Sequence, residues 1–160
     1  MINNKIASKM NELEIALKEL ESYLENFEQQ NYKISRKVAG WHIDHSLRVI
    51  TDAVFQLKNS NPKRFVYSFN RRRIVLFFRK KIKRKSFKSS SSNRNFGIIT
   101  FEELKSQFEL TKNNVTTLEK LNQKSNYKHS RFGLLNKEQT CLFLAIHTKH
   151  HIDIIKDIIK

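Results

Sequence analysis

His147 and His151 stand four apart in the run Ala145-Ile146-His147-Thr148-Lys149-His150-His151-Ile152. On a helix that spacing sets two imidazoles on one face, one turn apart. Two neutral imidazoles so placed can chelate one transition metal. His42 and His45 lie about a hundred residues upstream on another predicted helix. Four of the six histidines therefore fall in two places that a helical fold can bring together.

One imidazole from the upstream pair, added to His147 and His151, makes a three-histidine site. Neutral imidazole binds zinc, nickel, iron or copper at about 2.0–2.1 Å. Three protein ligands leave positions open for water or substrate, the pattern of a catalytic rather than a structural metal. A lone histidine on an apolar helix face is more often a satisfied core residue. A pair at i, i+4 shifts the balance, because each buried imidazole otherwise needs its own hydrogen-bond partner. His150 is about 100° round the helix from His151, so it faces outward or a cleft rim. No H-E-x-x-H occurs, so a zincin-type base is absent.

The elements that position these residues read as long helices. Ile6, Met10, Leu13, Leu17, Leu20, Leu24 and Phe27 alternate in steps of three and four, predicting a first helix over about 5–29. A second is predicted over about 36–59, with Ser35 as N-cap and Asn59-Ser60-Asn61-Pro62 as its stop. It carries two stripes, Ile43, Leu47, Ile50, Val54 and Leu57, and Val38, Trp41, His45, Val49 and Asp52. His42 falls between the stripes, so the helical wheel does not choose between His42 and His45. Thr100-Phe101-Glu102-Glu103 is a capping box opening a third long helix to about 123. Asn136-Lys137-Glu138-Gln139 is a second such box, opening the last helix over about 137–159, with Leu144, His147, His151, Ile154 and Ile158 inward. The connection Ser125–Leu135 carries Gly133 and His129.

Charge is unevenly spread. The net charge is +16, yet residues 53–101 hold 14 Lys and Arg and no carboxylate. The remaining 17 cations face 15 acidic residues. Within this crossover, about 60–99, Arg71–Lys81 is a short helix candidate and Ser86–Asn95 reads as mobile loop. Arg71, Arg72 and Arg73 are the candidate anion-binding residues. Residues 58–94 interleave cations with Phe65, Tyr67, Phe69, Phe77, Phe78 and Phe87. That mixture suits an anionic ligand, a nucleic acid or a membrane surface, or else a solvated lid that steers an anionic substrate. No nucleic-acid fold motif accompanies it.

Trp41-His42-Ile43-Asp44-His45-Ser46-Leu47, Phe132-Gly133-Leu134-Leu135-Asn136-Lys137-Glu138-Gln139 and His147-Thr148-Lys149-His150-His151-Ile152 together resemble the DinB/YfiT-like metalloenzyme superfamily. The resemblance runs in order over most of the chain. Four long amphipathic helices with one long basic crossover between helices 2 and 3 predict an all-α four-helix bundle, and the resemblance implies the same bundle. It also implies one metal held by a His of the second helix and the H-x-x-x-H of the fourth. Carried over, the ligands are His45, which follows the Trp-containing turn, with His147 and His151. The cofactor expected is a divalent transition metal (zinc, nickel or iron), together with a low-molecular-weight thiol. The chemistry expected is thiol S-transfer or hydrolysis at a small electrophile. The competing expectation is a non-catalytic binding module that uses the crossover. The crossover departs from the family pattern and leaves the substrate open.

Trp41 packs beside the site. Asp52 lies two turns along the His45 stripe, either behind a ligand or simply solvated, and His129 lies at the entrance or on a plain loop. Cys141 is off the His147 face and is not expected to be a nucleophile. As the sole cysteine it excludes an internal disulfide. A chain of 160 residues suits a single domain, 1–160, with a small-molecule substrate and a homodimer as partners to expect. No apolar signal core or membrane-length apolar run occurs, so a cytoplasmic protein is expected.

Overall fold

The computed structural model describes the backbone of residues 2–84 and 99–160 and the side chains of 8–84 and 99–160. The expected loop Ser86–Asn95, with Phe87, and the side chain of Ile6 lie outside the described residues. Four long helices, α1 (Ile2–Glu21), α2 (Ala39–Asn59), α4 (Phe101–Thr116) and α5 (Lys137–Ile158), pack around one core. α5 lies against α1 and α2, and α2 also lies against α4. A shorter α3 (Arg71–Arg79) sits in the crossover.

The fold is mostly helical but not all-α. β1 (Asn126–His129) and β2 (Gly133–Asn136) pair antiparallel, Tyr127 opposite Leu135 and His129 opposite Gly133, within the stretch expected to be a plain connection. Gly133 at φ +73° supplies the left-handed residue that lets the three-residue turn close.

Both capping boxes form. Thr100 and Asn136 accept from the N3 backbone, while Glu103 and Gln139 reach back to the cap. The expected Ser35 cap does not. α2 starts at Ala39, and backbone carbonyls of the preceding turn take its first donors: Ala39 N–H donates to Gln29 O at 2.9 Å and Gly40 N–H to Phe27 O at 2.7 Å. A Cβ at Gly40 would stand 2.9 Å from that Phe27 carbonyl, so only glycine admits the approach. The same return explains why α1 ends at Glu21 rather than near 29. The chain must turn through a short 3₁₀ segment, Leu24–Asn26, to put Phe27 over the start of α2. α4 likewise gives way to a 3₁₀ turn, Thr117–Lys120.

Two cations are structural. Lys137 is buried, and its Nζ donates to the carbonyls of Leu118, Glu119 and Leu121, closing the end of that 3₁₀ turn. Arg73 is 1% exposed; its Nη1 donates to Leu134 O at 2.8 Å and Phe132 O at 3.4 Å, and its Nη2 to Ser68 O. Tyr67 covers the guanidinium, 4.9 Å from the ring centre. Arg73 is thus not an anion-binding residue: its donors are spent on carbonyls and it faces inward. Arg71 and Arg72 remain exposed.

Removing Arg73 strands three carbonyls at once, one in the crossover and two in the hairpin. Arg73→Ala is expected to cost about 2–4 kcal/mol in urea unfolding, whereas Arg71→Ala stays within about 0.5 kcal/mol. Equal effects from the two would refute the assignment.

Candidate metal centre

The α2–α5 contact carries the site. On α2, the stripe Ile43, Leu47, Ile50, Val54 and Leu57 is fully buried. The second stripe is buried at Trp41, half-buried at His45 and Val49, and exposed at Asp52. α5 is buried over most of its circumference, because Thr148, Ile152 and Ile155 join the expected inward residues. The helix is enclosed by α1, α2 and the hairpin rather than facing one neighbour.

Here His45, His147 and His151 converge. One nitrogen from each lies within 4.8 Å of the others, and the three could hold a metal ion. Nitrogens sharing a tetrahedral ion at about 2.1 Å stand about 3.4 Å apart, so an ion bound here would draw the three closer. Ring centres lie 4.9 Å apart for His45–His151, 4.7 Å for His147–His151 and 5.2 Å for His45–His147.

His42 stands behind the cluster. Its Nδ1 is 3.0 Å from His151 Nδ1, and its Nε2 is 2.9 Å from Ser35 Oγ. With Nδ1 engaged, Nε2 is the nitrogen His151 has left for a ligand. The hydroxyl once expected to cap α2 instead anchors this chain, and also accepts from Lys37 N–H at 3.0 Å. A metal-bound imidazole ordinarily has its second nitrogen hydrogen-bonded. His42 does this for His151. The periodicity that left His42 and His45 open is resolved by placement: His45 in the cluster, His42 one layer out.

Electrostatics favour neutral, ligating imidazoles. Burial, then the neighbouring His45 and His150, pushes His42 down to about 3. Burial lowers His45 to about 4 against the opposing charge of Asp44. His147 and His151 are driven well below the usual histidine range, chiefly by desolvation and then by adjacent histidines. His147 Nδ1 is buried with no hydrogen-bond partner among the described residues, and so is Trp41 Nε1. An orphaned buried imidazole nitrogen is costly unless something binds it. The donor set therefore fits a borderline-soft divalent ion.

The flanking residues divide. Trp41 stacks on His45, ring centres 4.9 Å apart and 5° from parallel. Phe143 lies 5.7 Å from His147, and His129 packs on Phe143. His129 Nδ1 accepts from Arg131 and Phe132 N–H, so this ring organises the hairpin turn. His150 turns away to the backbone of Ile82. Exposed Asp52 stays out of the cluster. Asp44, buried beside His45, is held by Arg48 Nε at 2.8 and 2.9 Å and by Gln107 Nε2 at 2.9 Å. Burial pushes the Cys141 thiol up to about 12.

No family model, no curated protein and no solved structure matches this chain.

Two measurements test this arrangement. Two proton placements satisfy the Ser35–His42–His151 chain, but only one leaves His151 Nε2 a lone pair. Long-range ¹H–¹⁵N NMR of the metal-free protein is expected to find Nδ1–H on His151 and Nε2–H on His42. The reverse pair would remove His151 from the ligand set. Separately, the folded hairpin needs His129 neutral, and burial followed by the Arg131 charge lowers it from 6.5 to about 4. Its contribution is complete above pH 6.5 and is lost as pH falls through about 4, since the unfolded chain takes up the proton first. Urea unfolding between those limits is expected to show a shallower pH slope in His129→Phe than in the unmodified chain.

Proposed function

We propose that this chain binds one divalent transition metal through His45, His147 and His151 and is a DinB/YfiT-like four-helix-bundle metalloprotein. The observation that carries the reading is the convergence of three neutral imidazoles, from helices about a hundred residues apart in sequence, in a seam where one imidazole nitrogen has no other partner. The resemblance of the Trp41–Leu47, Phe132–Gln139 and His147–Ile152 segments to that superfamily also supports it. Zinc, nickel and iron all suit a His₃ set, and availability selects among them.

The chemistry proposed is transfer to, or hydrolysis of, a small electrophile. A metal bound in this way lowers the pKa of water or stabilises a thiolate, so it supplies a nucleophile at neutral pH. The chain's own residues prepare for that and do not compete with it. Cys141 is buried with its thiol raised to about 12, so it offers no thiolate. The nearest buried carboxylate, Asp44, has its oxygens taken by Arg48 and Gln107. The nucleophile therefore comes from outside the chain, as water or as a low-molecular-weight thiol. Three neutral ligands would leave the charge of a dication uncompensated, and an incoming hydroxide or thiolate would offset half of it. Trp41 and Phe143 wall the cluster with apolar surface that thins water around it, while the indole N–H of Trp41 remains a spare donor beside the rings.

Plasma mass spectrometry on protein purified without a nickel column is expected to find about one metal per chain, lost in folded His45→Ala, His147→Ala and His151→Ala. His42→Ala should keep the metal with about 10–100-fold weaker affinity. Absence of metal after reconstitution with zinc, nickel and iron would falsify the reading.

A further inference from the structure

The histidine cluster uses none of the crossover's cations, and α3 shows what remains of them. Its inner face is fixed: Arg73 and Leu76 are buried, Asn70 caps the helix at Arg73 N–H, and Asn70 Nδ2 donates to Arg131 O at 3.1 Å. The helix is therefore held against the hairpin with its opposite face outward. Phe78 on that face is 88% exposed, flanked by Ile74 and Val75 at 45% and 41%. Phe69, just before the helix, is 78% exposed. At 100° per residue, Arg71 falls between Phe78 and Val75, and Arg72 and Arg79 line one margin. Among the described residues none of these three arginines pairs with a carboxylate.

We propose that this outward face of α3, with Phe69, docks the protein on an anionic lipid surface. Apolar side chains held out of the core beside unpaired arginines are the composition of an interfacial helix, in which apolar groups enter the headgroup boundary and cations meet lipid phosphates. The apolar residues discriminate between partners. Single-stranded nucleic acid stacks on aromatic rings but gives Ile74 and Val75 nothing to bind, whereas the acyl boundary accepts aliphatic and aromatic groups alike. A second copy seated face to face would oppose arginine with arginine, with no acidic residue between 53 and 101 to offset them. No helix among the described residues is long and apolar enough to cross a membrane, so the attachment is peripheral. The aromatic residues of the crossover divide accordingly. Phe77 packs against the core, while Phe69 and Phe78 stay outside it.

The test is flotation of the full chain with vesicles of phosphatidylcholine alone or mixed equally with phosphatidylglycerol. Binding is expected only to the mixed vesicles, and it should weaken with salt. Phe78→Gln with Val75→Gln leaves the charge unchanged and is expected to weaken binding by roughly tenfold or more. Phe69→Gln, outside the helix, gives a smaller loss in the same direction without touching α3. Arg71→Gln with Arg72→Gln weakens binding and lowers its salt sensitivity. Helical circular dichroism should be unchanged in all, since these side chains are exposed. The proposal is overturned by failure to bind the mixed vesicles, or by binding that the glutamine variants leave intact. It is equally overturned by tighter binding to a single-stranded oligonucleotide than to the vesicles, or by a dimer in sedimentation velocity that Phe78→Gln dissolves. None of these outcomes depends on metal content.

Discussion

Desolvation at the α2–α5 seam governs the rest of the structure. Four imidazoles, His42, His45, His147 and His151, share a space too dry to hold their charged forms, and each is lowered well below the usual histidine range. Neutral imidazole has one donor and one acceptor, so packing four of them, two buried and two half-buried, brings eight hydrogen-bonding groups into an apolar seam. Ser35 and the His42–His151 contact meet some of these. One nitrogen each of His45, His147 and His151 converges on one point, and His147 Nδ1 has no partner among the described residues. A core built for stability alone would have used leucine here. Retaining four histidines where they cost stability is the local inconsistency expected at a functional site.

The cations obey the same rule with the opposite result. Arg73 and Lys137 cannot shed their charge as histidine does, so they are buried only where several backbone carbonyls converge on them. Each of them ties the hairpin region or the turn before it to a distant segment: Arg73 to the crossover, Lys137 to the end of α4. The crossover's charge is thus divided by side-chain direction. One arginine of the Arg71–Arg73 triplet fastens the segment, and the other two stay in water.

How much of this was legible in the sequence follows from the range of each interaction. The helices were, because period 3.6 and the capping boxes at Thr100 and Asn136 are local. The pairing of His147 with His151 was, because i, i+4 spacing fixes proximity without tertiary knowledge. The start of α2 was not: a serine ahead of a helix predicts a cap, but the carbonyls of Phe27 and Gln29 arrive from another turn and displace it. The hairpin was missed because each strand has four residues, too few for a readable alternation, although Gly133 at the end of a three-residue turn was a usable signal. Arg73 was indistinguishable from Arg71 and Arg72 until a partner surface existed. The fold is accordingly mostly helical with a small sheet rather than all-α.

The division of labour between His42 and His45 depends on how α2 is rotated. A helix slipped by one residue turns by about 100°, enough to carry His45 out of the seam. Three contacts on different sides prevent that. Gly40 sits under the Phe27 carbonyl with no room for a side chain, which fixes the height of the first turn. Asp44, clamped by Arg48 and Gln107, fixes the face turned toward α4. Trp41 packs edge-on against His151 of α5, ring centres 6.3 Å apart, and fills that side. Gly40, Trp41 and Asp44 all lie within five residues of His45, and none of the three is itself a ligand candidate. The site's geometry is therefore set less by the histidines than by a glycine, a carboxylate and an indole that leave α2 a single way to lie. A motif of histidines alone, without these three, would not specify which imidazole turns inward.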